Sequence, residues 1–283
     1  MARFATLPVS AMSTVPLAER HAAFRALHRA GCFILPNPWD PGSARWLAHA
    51  GFKALASTSA GYAFSRGRAD RELEVEDVLR HCRELVAATG LPVNADFEDG
   101  YARDHDTLAA NVRRCVETGV SALSIEDSMP DNRTLYDFDE AVARMRVARH
   151  AIDAVDPAVM LVGRAECFLV GQPDLDDTVR RLCAYAEVGA DCLYAPGLHD
   201  AVEIRAVVEA VAPLPVNVMM GPVAGMGMET LAGLGVRRIS TASALAMAAW
   251  TGFTEATQAL LEGRLDGFAN TVTYRQLGEL FGG

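Results

Sequence analysis

Two short segments carry the chemistry this chain could do. Leu91-Pro92-Val93-Asn94-Ala95-Asp96-Phe97-Glu98-Asp99-Gly100-Tyr101 and Ala122-Leu123-Ser124-Ile125-Glu126-Asp127-Ser128 are apolar, strand-like runs that end abruptly in acid. A half-buried carboxylate at a strand end is costly unless something compensates it. Two such ends imply converging carboxylates, and a hard divalent cation such as Mg²⁺ takes oxygen ligands of this kind. Asp96 and Glu126 occupy the last strand positions and are the first candidates. Asp99 and Asp127 lie beyond them, where capping a loop or a helix is an equal alternative.

A further run, Met160-Leu161-Val162-Gly163, delivers Arg164 at its end, with Glu166 close behind. A guanidinium held there suits a carboxylate bound through two parallel hydrogen bonds. An internal salt bridge to Glu166 or Glu126 is the alternative, and both fit an empty enzyme. Other strand ends supply Ser57-Thr58-Ser59, Asn217 and Ser240, small groups suited to orienting a substrate; Asn217 could equally tie down a loop. Cys167 has no histidine paired with it in the sequence pattern and reads as packing.

These residues need a scaffold that brings strand ends together. Strand-like runs at Cys32–Leu35, Ala54–Ser57, Val93–Asp96, Ala122–Glu126, Val159–Arg164, Cys192–Ala195, Val216–Met219 and Arg238–Ser240 alternate with helical spacing. The helical stretches include Val75–Ala88, Thr107–Thr118, Asp139–Val155, Leu175–Val188, Ala201–Val211 and Met226–Leu234. Glycines at positions 31, 51, 90, 119, 189 and 235 follow helix ends and predict left-handed caps; Asp40-Pro41 predicts a helix start. Eight strand–helix units in about 250 residues predict a (β/α)₈ barrel, whose catalytic groups come from the C-terminal strand ends. A doubly wound sheet is the alternative, but no G-x-G-x-x-G follows the first strand. Residues 1 to about 17 read as an N-terminal arm, and residues 18–283 as one barrel domain with a C-terminal helical tail from about 254. The tail Leu260–Phe281, with Phe268, Tyr274 and Phe281, needs a surface to cover it.

The formal net charge of −10 over 283 residues argues against nucleic acid or anionic membrane as partner. No apolar run is long enough to span a membrane, and no secretory signal pattern opens the chain. The six cysteines are scattered without a C-x-x-C pair, which predicts reduced thiols and a cytoplasmic protein. Lys53 is the only lysine, so lysine chemistry would have to use it. It falls at the start of the second strand, opposite the active face of a barrel, which argues against a Schiff-base aldolase.

The motifs Pro36-Asn37-Pro38-Trp39-Asp40, Ser57-Thr58-Ser59-Ala60-Gly61 with Gly67-x-x-Asp70, Asn94-Ala95-Asp96-Phe97-Glu98-x-Gly100-Tyr101, Ile125-Glu126-Asp127-Ser128, Gly163-Arg164, Ala195-Pro196-Gly197 and Val236-Arg237-Arg238-Ile239-Ser240 follow one another in a specific order. From about Arg29 to Ala249 the chain resembles the isocitrate lyase/phosphoenolpyruvate mutase superfamily. The resemblance implies a (β/α)₈ barrel, Mg²⁺ or Mn²⁺, and 2-oxo or 2-hydroxy acids cleaved or formed through an enolate. It implies a helix after the eighth strand swapped between subunits of a homodimer or homotetramer. It implies Asp96, Glu126 and Asp70 around the metal, Arg164 on a substrate carboxylate, and Thr58, Ser59 and Ala60 holding the substrate.

Two departures matter. Asn94 stands where the best-known members carry aspartate; Glu98, two residues beyond Asp96, is the candidate that compensates. The loop Asp127 to Asp137 lacks the cysteine of isocitrate and methylisocitrate lyases and the lysine of the mutases. Only Arg133 and Tyr136 there could do chemistry, and either could be plain loop structure. The expectation is therefore a Mg²⁺-dependent lyase or decarboxylase of a small oxo or hydroxy dicarboxylate, not isocitrate lyase itself. A C–P bond hydrolase or phosphonomutase-like enzyme, and a non-catalytic oxo-acid-binding barrel, are the alternatives.

Overall fold

A computed structural model describes residues 15–131, 133–219, 226–268 and 271–282. Eight parallel strands form one sheet: β1 (Phe33–Leu35), β2 (Leu55–Ala56), β3 (Val93–Asp96), β4 (Ala122–Glu126), β5 (Met160–Arg164), β6 (Cys192–Tyr194), β7 (Val216–Met219) and β8 (Arg238–Ser240). From β2 to β8 each strand pairs with its sequence neighbour, and β1 pairs with β8. A hydrogen bond from Ala56 N to Pro36 O, 3.1 Å, brings the second strand against the end of the first, so the barrel is nearly closed. The predicted (β/α)₈ architecture is the observed one, with every predicted strand present and ends differing by a residue.

The helices on the strand-to-strand path are α2 (Pro41–His49), α3 (Ser59–Ser65), α4 (Val75–Ala88), α5 (His105–Val116), α6 (Phe138–Asp153), α7 (Leu175–Glu187), α8 (Ala201–Ala210) and α9 (Met228–Gly233). Asp40 caps α2 as its sequence predicts: its Oδ1 accepts from Ser43 N at 2.6 Å, and Pro41 fills the first turn. The glycines at 31, 51, 119, 189 and 235 have positive φ, as left-handed caps require. Gly90 is not among them, because α4 ends at an extended Thr89 instead.

Alternation along the strands divides the core in two. One set of side chains packs between sheet and helices; the other, including Leu35, Ala56, Ala122, Met160, Val162 and Cys192, fills the barrel interior. An unpredicted helix, α1 (Leu17–Leu27), adds Phe24 and Leu27 to that interior set and plugs the N-terminal end. The expected arm lies almost wholly outside the described residues. Lys53 is exposed on the turn before β2, at that same end.

After β8 the chain enters α10 (Ala244–Leu261), a short 3₁₀ turn at Asp266–Phe268 and α11 (Tyr274–Phe281). Only Ala246, Ala256 and Ala259 of α10 are buried, while Met247, Trp250 and Phe253 are exposed, Phe253 by 59%. Helix α11 rests on α2 and buries Leu280. No helix among the described residues is long and apolar enough to cross a membrane.

Candidate active site

The C-terminal strand ends surround a cavity of about 220 Å³. Its lining holds every residue that the sequence assigned to metal or substrate: Thr58, Ser59, Ala60, Asp70, Asp96, Glu98, Glu126, Arg164 and Asn217. Strand alternation explains the convergence. Asn94 and Asp96 on β3, Ser124 and Glu126 on β4, and Val162 and Arg164 on β5 share the inward face.

Arg164 sits in the middle of the acids. Its Nη1 is 3.2 Å from Asp96 Oδ1 and 3.0 Å from Glu126 Oε2, and its Nε donates to Glu166. Burial opposes its charge, but Glu166 and Glu126 outweigh that and hold the guanidinium protonated far above its ordinary range. The internal salt bridge is thus real, and it reaches three carboxylates. Nη2 is the part of the fork that these contacts leave over.

Glu126 is fully enclosed. Burial works against its charge, yet Arg164 and Arg71 prevail and lower its pKa. Ser128 Oγ donates to its Oε1 at 2.7 Å. Arg71 was not foreseen in the sequence. It lies on the loop between α3 and α4 with φ +65°, and its Nη2 donates to Glu126 and, at 2.9 Å, to Ser128 Oγ. A left-handed non-glycine residue of this kind is strained, and such strain gathers at functional sites.

Asp96 Oδ2 accepts from Ser59 N at 3.0 Å and from Ser59 Oγ at 2.9 Å. Thr58 Oγ1 accepts from Gly61 N at 3.2 Å and caps α3. The Thr58–Ala60 segment therefore positions Asp96 here, with Ala60 on the cavity wall. Asp70 stands at the rim, where partial burial and then Asp96 push its carboxyl upward.

Glu98 and Glu166 complete the acidic set. Burial, then the charges of Glu126 and Asp96, push Glu98 up to about 8. Burial also takes Glu166 up to about 8, although Arg164 pulls the other way. Glu98 Oε1 and Glu166 Oε2 are buried oxygens without a hydrogen-bond partner among the described residues. That chemistry fits a hard cation. No three acidic, histidine or cysteine side chains among the described residues stand close enough to hold a metal unaided. Mg²⁺ keeps several waters and commonly binds through one or two carboxylates, so Asp96, Glu126 and Glu98 suit a hydrated ion.

Asp99 and Asp127 turn outward and brace the loops. Asp99 accepts from Tyr136 Oη at 2.9 Å and Tyr101 N at 3.0 Å. Asp127 accepts from Tyr185 Oη at 2.6 Å, Glu166 N at 2.8 Å and Arg181 Nη1 at 3.1 Å. Asp127 thereby fixes the backbone of Glu166. Just after Asp127 the chain doubles back, with Ser128 bridged antiparallel to Leu135. Arg133 is exposed, and Tyr136 is occupied by Asp99 and by Arg144, 4.3 Å above its ring. Neither lines the cavity. Cys167 is buried away from it, with Sγ 3.9 Å from Asp177 Oδ2.

Two further lining residues escaped the sequence reading. Tyr194 on β6 lies beneath the Arg164 guanidinium at 5.1 Å, its phenol pushed by burial up to about 12. Arg238 on β8 stands on the cavity floor with Asn94 and Asn217 as partners.

Residues 24–261 match the family model described as phosphoenolpyruvate phosphomutase. The chain belongs to this family. It is an enzyme of the isocitrate lyase/phosphoenolpyruvate mutase superfamily, which sets aside the non-catalytic barrel. The chain is 45% identical to a Burkholderia cenocepacia J2315 protein whose crystal structure is described as that of a candidate lyase/mutase; the TM-score is 0.90, and 94% of this chain and 98% of that one are covered. A candidate phosphonomutase from the same organism is 35% identical, with a TM-score of 0.79 over 86% and 99% of the two chains. An oxaloacetate decarboxylase of Chromohalobacter salexigens is 29% identical, covering 80% of each chain.

Proposed function

We propose that this protein is a divalent-metal-dependent carbon–carbon lyase that decarboxylates or cleaves a small 2-oxo or 2-hydroxy acid. The observation that carries this reading is the Arg164 guanidinium held among Asp96, Glu126 and Glu166 in one cavity. Mg²⁺ or Mn²⁺, when bound, would polarise the 2-oxo group and take up the charge that develops on its oxygen.

The chain's own residues do the rest. Asp96, Glu126 and Glu98 would hold the ion, with Asp70 at its outer side. Arg71 and Ser128 fix the orientation of Glu126, and Ser59 fixes that of Asp96. Arg164 holds a substrate carboxylate through Nη2 while its other nitrogens stay on the acids. Leu35, Ala56, Leu169 and Met219 supply apolar wall, which strengthens the electrostatic contacts beside it. Among the described residues no cysteine, lysine or histidine lines the cavity. Loss of CO₂ from an oxaloacetate-like acid needs an electron sink and an oriented carboxylate more than a strong general acid, and this lining supplies that combination. The similarity to a Chromohalobacter salexigens oxaloacetate decarboxylase supports the same chemistry.

A second reading, chemistry at a C–P bond, is favoured by the 35% identity to the candidate phosphonomutase. One screen separates the two. Oxaloacetate, substituted malates, methylisocitrate and phosphonopyruvate are mixed with enzyme, with and without Mg²⁺ or Mn²⁺, and pyruvate is followed. Oxaloacetate should release pyruvate faster than the metal alone allows, and chelation should abolish the excess. Full activity after exhaustive chelation, or reaction with phosphonopyruvate alone, overturns the first reading.

A further inference from the structure

Arg238 is a buried cation that no acid neutralises. It is 2% exposed, yet it lines the catalytic cavity. Its Nε donates to Asn217 Oδ1 at 2.8 Å and its Nη1 to Asn94 Oδ1 at 3.1 Å. Both partners are neutral amides, and Asn217 is itself held by donating to Ser240 Oγ at 3.0 Å. Every aspartate and glutamate of the chain lies within the described residues, and none forms an ion pair with Arg238. The contrast with Arg164 and Arg71 is sharp, because both of those already sit on carboxylates.

A buried guanidinium without a counter-charge costs several kcal/mol of desolvation, so it persists where something else repays that cost. Here the orientation is fixed by two amides, Nη2 is left without a protein acceptor among the described residues, and the residue lines the cavity. Asn94 fits the same picture. An aspartate at that position would neutralise Arg238 internally, whereas asparagine positions it and leaves its charge in place.

We propose that Arg238 is a substrate-binding residue that takes a second carboxylate, so that the substrate is a dicarboxylic acid held by Arg164 near the strand ends and by Arg238 at the cavity floor. This rests on the oxo-acid reading above. It adds a specificity: acids with one carboxylate lack the group that Arg238 binds.

Malate and 2-hydroxybutyrate have the same chain length and differ in one carboxylate. Their affinities are measured by calorimetry with Mg²⁺ present, for the wild type, Arg238→Gln and Asn217→Asp. Wild type should prefer malate by about tenfold or more, the factor carried by one charged hydrogen bond. Arg238→Gln should lose that preference while leaving 2-hydroxybutyrate affinity within about twofold. Asn217→Asp keeps the arginine and its contacts but gives it an internal carboxylate, so it too should lose the preference, even if Arg238→Gln fails to fold. Equal weakening of both ligands by Arg238→Gln would make the residue a structural crosslink and overturn the proposal. So would an unaltered preference in Asn217→Asp, or a wild type that binds 3-phosphonolactate more than about tenfold tighter than malate. Failure of the lyase reading looks different: malate selectivity would persist while oxaloacetate releases no pyruvate.

Discussion

At the scale of single residues, Arg164 is more constrained than its place at a strand end suggests. The fork is divided among Asp96, Glu126 and Glu166, so its planar geometry organises the acids, besides the substrate contact proposed for it. Lysine is a point charge and cannot bridge three carboxylates at once. Arg164→Lys should therefore lower kcat/KM about 10–100-fold, about 1–3 kcal/mol. A lysine variant with wild-type kinetics on every accepted acid would remove Arg164 from the site's machinery. The nominated residues were legible because acid or arginine at the end of an apolar run is conspicuous. Arg71 gave no such signal: it comes from a loop and meets Glu126, 55 residues away, only in the folded chain. Arg238 did leave one. Period-two alternation back from Ser240 places it on the inward face, but in the sequence it reads only as part of the eighth strand and its motif.

At the scale of elements, the loop from Asp127 to Asp137 decides what the enzyme should not do. It is held by Met129 N to Thr134 O at 2.7 Å and Tyr136 N to Asp127 O at 2.8 Å. Tyr136 is committed to Asp99, and Arg133 faces outward. Among the described residues, neither Arg133 nor Tyr136 of this loop lines the cavity to deliver a proton to a substrate carbon. General acids contribute roughly 10²–10⁴-fold, so cleavage of isocitrate should be negligible. Glyoxylate trapped as its hydrazone is the assay; turnover near about 10 s⁻¹, typical of enzymes, would mean that the loop rearranges to bring Tyr136 or Arg133 inward. The strands and amphipathic helices were readable from period and caps. Helices α1 and α3 were not, and α10 came from the resemblance, which implies a helix after the eighth strand, rather than from period. Helix α3 is short, and α10 is apolar nearly all round, so neither shows a stripe.

At the scale of the whole molecule, two properties follow from how the barrel is finished. His28 and His81 are buried, and burial drives both from 6.5 down to about 3. The folded protein excludes protons that the unfolded chain binds between those values, so stability falls as pH drops from about 6.5 toward 3 and is unaffected by these groups above that range. Each contributes a slope of about 1.4 kcal/mol per pH unit within the window. His81 stacks on Tyr62 at 4.0 Å. His81→Phe keeps the ring and removes the titration, so its denaturant midpoint should fall less steeply between pH 6 and 4; an unchanged slope would refute the assignment. The second property is assembly. Met247, Trp250 and Phe253 leave an uncovered apolar face on α10, and we expect a second subunit to cover it in a dimer or a dimer of dimers. Light scattering at micromolar concentration tests this, and a stable monomer would refute it.

Lys53, the one lysine, projects from the turn before β2, at the end of the barrel that α1 closes. The catalytic mouth is at the other end. Side-chain amine chemistry thus has one handle, at the end of the barrel away from the cavity. A reagent that couples to surface amines would tether the protein to a solid support at this point or at its N-terminus. Tethered through Lys53, the protein would face its cavity toward the medium, with the carboxylates and arginines that line it chemically untouched.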